Sequence, residues 1–150
     1  MRTLVIPIRY VDGYVPRLKI TAIGDWIDVY AWPDKEEVKI AKDEIYDIPL
    51  GFAMQLPDDY EAYLAPRSST PTKFKIECAN SFGIIDNSYA GDNDIWAFRA
   101  RALEDTVIKR CDRIAQFRIQ KRQPDIEFIE VDHLEKADRG GFGSTGNGVL

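Results

Sequence analysis

Two short segments carry side chains that suit the binding of phosphate groups. Arg67-Ser68-Ser69 places a guanidinium fork and two hydroxyls within three residues, and such groups match phosphate oxygens. The tail from residue 139 onward holds five of the ten glycines, together with Arg139, Phe142, Ser144 and Thr145. Either this tail is a frayed terminus, or its exposed N–H groups, hydroxyls, arginine and ring form an arm that closes over a phosphate-bearing base.

Composition excludes several other kinds of chemistry. His133 is the only histidine, which argues against a zinc site or a histidine-based triad. Cys78 and Cys111 are too few for a disulfide framework and lack metal-ligand spacing, so we predict two buried free thiols. A formal net charge of -5 argues against a nucleic-acid binder, which needs a basic face. An anionic ligand must therefore be held by a few local cations, by backbone N–H groups or by a metal.

The elements that must position these groups are predicted to be β-strands. In residues 113–121, Ala115, Phe117 and Ile119 share one face of an alternating pattern, which is typical of a half-buried strand. Residues 95–110 would also suit a helix, but we assign them to a strand. With 45% apolar residues in 150, the chain suits one compact all-β domain, a sandwich or jelly-roll-like barrel. The other predicted strands are residues 4–11, 19–30, 37–45, 51–56, 60–65, 73–78 and 126–131.

The location of the protein is predicted from its apolar segments. No stretch reaches the roughly 20 apolar residues of a membrane span, and the first residues do not form a signal peptide. We therefore expect a cytoplasmic protein that binds no membrane and no nucleic acid.

Five motifs in order resemble those of the trimeric dUTPases, the deoxyuridine 5'-triphosphate nucleotidohydrolases. The fifth is the glycine-rich tail, and the third is the most specific of the five. The first four are Asp25-Trp26-Ile27-Asp28-Val29-Tyr30-Ala31, Ala65-Pro66-Arg67-Ser68-Ser69, Asn80-Ser81-Phe82-Gly83-Ile84-Ile85-Asp86-Asn87-Ser88-Tyr89-Ala90-Gly91-Asp92, and Asp112-Arg113-Ile114-Ala115-Gln116. The resemblance covers nearly the whole chain.

The resemblance implies an enzyme that hydrolyses dUTP to dUMP and pyrophosphate with the help of Mg²⁺. It implies a jelly-roll-like β-barrel domain over residues 1–137 and a flexible glycine-rich arm over residues 138–150 that closes over the active site. It also implies a homotrimer whose three active sites are shared between subunits.

The third motif is expected to select the base and the sugar. By resemblance, a hairpin from residue 80 to residue 86 pairs main-chain groups and the Asn80 amide with uracil and leaves no room for the methyl group of thymine. Gly83 would permit the turn, and Ile85 belongs to the same substrate-binding set. Tyr89 would stack under the deoxyribose and exclude a 2'-hydroxyl. Asp86 would be the catalytic residue, which holds and activates the water that attacks the α-phosphorus.

The second and fourth motifs are expected to bind the triphosphate. The resemblance places Arg67, Ser68 and Ser69 at the α- and β-phosphates, while Arg113 and Gln116 either join them or support the arm. Mg²⁺ would be held by phosphate oxygens and waters without a direct protein ligand, in keeping with its preferences.

The first and fifth motifs complete the implied site. Asp28 would touch the metal only through water, or would order Arg67 across a subunit interface. In the arm, Phe142 would cover the uracil beside Gly143, while Arg139, Ser144 and Thr145 hold the γ-phosphate. The chain departs from the family's usual pattern in three places. It has two residues fewer between Arg139 and Phe142, Cys111 stands where glycine is usual, and Pro71 follows shortly after Ser69, near a turn where many relatives carry glycine and leucine.

Two alternatives share the implied scaffold. One is a protein-binding regulator whose capture of a partner protein is controlled by the nucleotide, which is compatible with catalysis. The other is a dCTP deaminase, which shares an arginine-serine-serine element but usually carries a further arginine after it. Residues 69–72 lack that arginine, and Asp86, Tyr89 and Phe142 favour the hydrolase.

Overall fold

The fold is known from a computed structural model, which describes residues 3–141. The described part contains eleven short strands and one helix of five residues. In chain order these are β1 (Ile8–Tyr10), β2 (Ile27–Tyr30), β3 (Glu37–Ile40), β4 (Ile45–Pro49), β5 (Phe52–Met54), β6 (Tyr60–Pro66), α1 (Thr70–Phe74), β7 (Ile76–Cys78), β8 (Gly83–Ile85), β9 (Ala97–Ala102), β10 (Thr106–Lys109) and β11 (Arg113–Lys121). The prediction of an all-β protein is confirmed.

The strands form four small antiparallel sheets. The largest has the order β2-β11-β6-β8, and a second has the order β4-β9-β7. Two strand pairs, β1 with β5 and β3 with β10, complete the arrangement. β11 lies between β2 and β6, so the first, second and fourth motifs are brought side by side in one sheet.

The core is built around three aromatic side chains: Phe52 on β5, Phe117 on β11, and Trp96, which directly precedes β9. The Trp96 ring lies 5.2 Å from the ring centroid of Phe52 and 5.1 Å from that of Phe117, and all three are at most 1% exposed. Burying a side chain of this size contributes roughly 1.5–3 kcal/mol relative to leaving it in water. Ala115 and Phe117 are buried and Ile119 packs against the same core, which confirms the predicted face of β11.

Strand boundaries differ from the predictions where turns divide the apolar runs. The predicted strand 37–45 is two strands, because a turn at residues 41–44 is closed by the Glu44 carboxylate, which accepts the N–H of Ala41. Only the end of the predicted strand 19–30 is a strand, because bends at residues 22, 23 and 25 interrupt the chain before Ile27. Residues 95–110 form β9 and β10, which confirms the choice of strand over helix.

The segment before β7 is a helix instead of the start of a strand. α1 carries Pro71 in its first turn, where a missing N–H costs nothing, and it ends at Lys75 in the left-handed conformation with φ 57°. The predicted strand at residues 126–131 is also wrong. Residues 126–131 form no strand within the described chain, and the Phe128 side chain is 94% exposed.

The two thiols are less buried than predicted. Both cysteines are free, but Cys78 is half-buried and Cys111 is exposed. Cys111 adopts a left-handed backbone with φ 71°, a conformation that glycine tolerates best. This backbone supplies the physical reason for the glycine usual at this place. No helix among residues 3–141 is long and apolar enough to cross a membrane.

Candidate active site

A pocket of about 480 Å³ lies at the meeting point of β2, β6 and β11. It collects five of the residues expected at the triphosphate: Asp28, Arg67, Ser68, Arg113 and Gln116. We call it the phosphate pocket. The rest of its lining comes from the loop before β2 and from Tyr30: Lys19, Thr21, Ile23, Gly24, Asp25 and Trp26 complete the wall.

Asp28 joins the two arginines of this pocket. Its carboxylate lies 3.1 Å from Nε of Arg67 and 3.4 Å from Nη1 of Arg113. The pairing follows from the sheet, because β2 and β6 flank β11 and the register sets Asp28 opposite Gln116. One expectation had Asp28 ordering Arg67 across a subunit interface. In the structure the ion pair forms within one chain, because Asp28 on β2 and Arg67 directly after β6 lie on either side of β11.

Thr70 fixes the turn that presents Arg67. It is fully buried, and its hydroxyl accepts the N–H of Arg67 at 2.8 Å and donates to the carbonyl of Ile114 at 2.8 Å. The amide of Gln116 donates to the carbonyl of Pro66 at 3.2 Å. These bonds tie the second motif to β11. Sequence analysis missed Thr70. A hydroxyl residue in front of Pro71 at a helix start is the signal that could have drawn attention to it.

Ser69 lies next to the phosphate pocket but outside its lining. It precedes α1, and its carbonyl accepts the N–H of Lys73 at 2.8 Å, while its hydroxyl does not cap the helix. The Ser69 hydroxyl therefore does not stabilise the start of α1.

A second pocket of about 480 Å³ lies between β8, β9 and the loop after β8. It collects Asn80, Gly83, Ile85, Asp86 and Tyr89, which are the residues expected at the base and the sugar. We call it the base pocket. Its other lining residues are Asp47, Leu64, Cys78, Ile84, Ser88, Ile95, Trp96, Ala97 and Arg99.

The segment from residue 80 to residue 86 is not a β-hairpin. β7 pairs with β9 and β8 pairs with β6, so the turn passes from one sheet to another. Ser81 carries the positive φ of 68° in this turn. Gly83 is needed for packing, because an added Cβ would lie 3.2 Å from Cβ of Leu64 on β6. The glycine therefore allows the close approach of β8 to β6 and does not form the turn itself.

Asp86 is exposed directly after β8, and its carboxylate accepts a hydrogen bond from Ser88, two residues further along the chain. Ser88 lowers the pKa of Asp86, first through its side-chain hydrogen bond and then through its backbone N–H, which lies 2.8 Å from the carboxylate. A smaller attraction to Arg122 acts in the same direction. Asp86 is therefore an ionised acceptor over a wide pH range.

The loop after Asp86 is held at two points. The Asn87 amide donates to the carbonyls of Asp58 at 2.7 Å and Tyr60 at 3.3 Å. The Tyr89 hydroxyl donates to the carbonyl of Ile95 at 3.1 Å. Asn87 thus ties the loop to the start of β6, a role that sequence analysis did not assign to it.

Cys78 contacts the amide expected to recognise the base. Its thiol donates to the side-chain oxygen of Asn80 at 3.1 Å, which leaves the NH₂ group of Asn80 available to a ligand. Burial raises the pKa of the Cys78 thiol above its ordinary value, so the group remains protonated and able to donate.

The expected site residues therefore fall into two groups, and the two linings have no residue in common. Arg139 is exposed and lines neither pocket. Four expected arm residues lie outside the described residues: Phe142, Gly143, Ser144 and Thr145. Among residues 3–141, no group of three or more histidine, cysteine or acidic side chains could hold a metal ion.

Comparison with known proteins places the chain in a family. The dUTPase family model matches residues 28–146. The chain is 53% identical over 141 residues to the SPbeta prophage-derived deoxyuridine 5'-triphosphate nucleotidohydrolase YosS of Bacillus subtilis, covering 94% of this chain and 97% of YosS. It is 33% identical over 147 residues to the deoxyuridine 5'-triphosphate nucleotidohydrolase of Thermobifida fusca, covering 96% and 80% of the two chains.

Solved structures show the same fold at low identity. A mutant dUTPase of Staphylococcus bacteriophage 80alpha, in complex with dUpNHpp, superimposes with a TM-score of 0.75 at 18% identity over 95% of this chain and 98% of that one. A mutant dUTPase of phage phi11 of S. aureus, whose structure describes a structural Mg(II) ion, gives 0.74 at 16% identity over 89% and 100%. These likenesses confirm the predicted jelly-roll-like β fold. With the family match over most of its length, the chain belongs to the dUTPase family.

Proposed function

We propose that this chain hydrolyses dUTP to dUMP and pyrophosphate at a site assembled from the base pocket of one subunit and the phosphate pocket of another. The observation that carries the proposal is the division of the expected residues between two pockets with no common lining residue. The family match and the identity to named dUTP nucleotidohydrolases support the activity. Substrate, residue roles and assembly follow from the chemistry of each pocket.

Asp86 is proposed to hold the attacking water. Its lowered pKa keeps it ionised, and a carboxylate accepts a hydrogen bond from water in that state. Because a carboxylate of this kind is a weak base near neutral pH, its main contribution is to orient the water in line with the α-phosphorus. The bonds of Ser88 to Asp86 and of Asn87 to the start of β6 fix that direction.

The phosphate pocket is proposed to neutralise the triphosphate. Arg67 and Arg113 offer guanidinium groups beside the hydroxyl of Ser68, and charge-assisted bonds of this kind are strong. Mg²⁺, when bound, would neutralise charge on the phosphate oxygens. Asp28 offers carboxylate oxygens that would accept hydrogen bonds from the waters that such an ion keeps. The residues present therefore fit a metal that arrives with its substrate.

The base pocket is proposed to select uracil and deoxyribose separately. The NH₂ group of Asn80, left available by Cys78, can donate to a uracil carbonyl. The Tyr89 ring, fixed by its bond to Ile95, is proposed to stack under the deoxyribose and exclude a 2'-hydroxyl. The tight approach of Gly83 to β6 limits the space for a 5-methyl group.

Exposed apolar side chains support an assembly of several chains. Phe128, Ile129 and Leu134 are 94%, 77% and 84% exposed in one chain, and apolar stretches of this kind commonly mark protein interfaces. A homotrimer would cover them and bring two pockets from different chains together. We propose the arm from residue 138 as the part that closes over the ligand.

A nucleotide panel tests the function. Pyrophosphate release should be fast with dUTP and not appreciable with dTTP, dCTP or UTP. Asp86→Asn should keep dUTP binding and lose roughly 10²-fold or more in turnover, a typical cost of losing a positioned base. Asp92→Asn is a matched control, since the Asp92 carboxylate is exposed and lines neither pocket. Comparable cleavage of dTTP or UTP, or near-normal turnover by Asp86→Asn, would contradict the proposal.

A further inference from the structure

The phosphate pocket contains a cation that the five motifs do not include. Lys19 lies in the loop before β2 and lines the same pocket as Arg67 and Arg113. The lining also carries the carboxylates of Asp25 and Asp28. Three cations and two carboxylates leave one net positive charge. Without Lys19 the lining would be neutral, which is a poor match for a triphosphate.

Lys19 also differs from the two arginines in what it contacts. Arg67 and Arg113 both pair with Asp28, at 3.1 and 3.4 Å, so part of their charge is already compensated. Lys19 is exposed, and no hydrogen bond or ion pair engages its ammonium group within the described chain. Its flexible stem can bring a compact point charge to an incoming anion.

We propose that Lys19 binds the β- and γ-phosphates of dUTP, the part of the substrate that leaves as pyrophosphate. This inference rests on the proposed function and adds a substrate-binding residue to the same site. A triphosphate carries about four negative charges near neutral pH, more than the Asp28-paired arginines balance. Arg67 directly follows β6 and Arg113 begins the adjacent strand β11, so Lys19, which comes from a separate segment of the lining, supplies the positive charge that we assign to the two outer phosphates.

The proposal makes Lys19 sensitive to the number of phosphates on the ligand. Loss of one charged hydrogen bond should raise the KM for dUTP about tenfold or more. The Kd of a non-hydrolysable dUTP analogue should rise by a similar factor. The inhibition constant of dUMP should stay within about twofold, because dUMP lacks the two outer phosphates. This split separates a phosphate contact from a general structural effect.

The experiment compares Lys19→Gln, Lys19→Arg and Lys39→Gln in the full-length protein. Lys39 is an exposed lysine of β3 that lines neither pocket, so its variant controls for the loss of one surface charge. Lys19→Arg should recover most of the affinity for dUTP, since it keeps the charge. Added salt should weaken dUTP binding less in Lys19→Gln than in the wild type, because one screened interaction has been removed.

Three results would overturn the proposal. The first is a KM for dUTP in Lys19→Gln within twofold of the wild-type value. The second is an equal loss of dUMP and dUTP affinity, which would point to a role in shaping the loop. The third is the same loss in Lys39→Gln. If the wild-type protein released no pyrophosphate from dUTP, the proposed function would fail first, and this inference would fail with it.

Discussion

The sharing of active sites between chains can be tested by complementation. Asp86 lies in the base pocket and Arg67 in the phosphate pocket, and the two linings have no residue in common. If each site takes one pocket from each of two chains, Asp86→Asn and Arg67→Ala disable different halves of the site. Trimers that mix the two variants would then contain some sites with an intact Asp86 and an intact Arg67.

The size of the effect follows from the geometry of a cyclic trimer. A site works only if its base pocket comes from an Arg67→Ala chain and its phosphate pocket from an Asp86→Asn chain. With equal amounts and random assembly, about a quarter of the sites meet both conditions. Two variants that each retain roughly 1% of wild-type turnover should therefore recover about 25% after mixing.

The assay is pyrophosphate release after the two proteins are unfolded together, refolded and checked for mass in solution. Refolding each variant alone is the control for partial recovery of activity. A mixture with no more activity than the average of its parts would place Asp86 and Arg67 of one chain in the same site. A mass that corresponds to a monomer would contradict the shared site directly.

Three further variants test how the loop and the turns position the site. Asn87→Ala removes two hydrogen bonds and should lower the free energy of unfolding by about 1 kcal/mol. If the loop then moves by about 1 Å, turnover should fall roughly 10²-fold. Asn93→Ala, an exposed control, should change neither the denaturant midpoint nor the rate. Ser88→Ala removes the main cause of the lowered pKa of Asp86, so the pKa of Asp86 should rise towards its ordinary value. The acidic limb of the pH–kcat profile should then move to higher pH. If the limb does not move, the hydrogen bond between Ser88 and Asp86 has no influence on the rate. Cys111→Gly should stabilise the fold by roughly 0.5–1 kcal/mol, since relief of left-handed strain at φ 71° exceeds the added backbone entropy, and a lower melting temperature would contradict this reasoning.

Alternation along the chain was enough to predict the strands that bury a face in the same chain. β11 is the clearest case, because Ala115 and Phe117 meet the core as their spacing requires. The same rule failed at residues 126–131, which are rich in apolar side chains but form no strand in the described chain. Apolar spacing alone does not determine whether a segment joins a sheet.

Five residues of each pocket were predicted from motifs, but the residues that support them were not. Thr70 acts through two hydrogen bonds, and the one to the carbonyl of Ile114 on β11 joins parts of the sequence that meet only in the folded chain. Cys78 acts through one hydrogen bond to Asn80, which depends on the turn after β7. The segment 80–86 was expected to be a hairpin from the family resemblance. The strands on either side of it, β7 and β8, belong to different sheets, and the local sequence does not indicate which sheet each strand joins.

Asp28 raises a question of charge, because a carboxylate in a phosphate pocket repels the ligand. Its ion pairs with Arg67 and Arg113 are partly exposed, so each contributes at most about 1 kcal/mol to stability. An arginine side chain loses up to about 2 kcal/mol of rotamer entropy when it is fixed. We therefore expect Asp28 to order both guanidinium groups before the substrate binds, which would lower the entropic cost of binding. Such an arrangement favours a ligand that can outcompete one carboxylate with several phosphate oxygens.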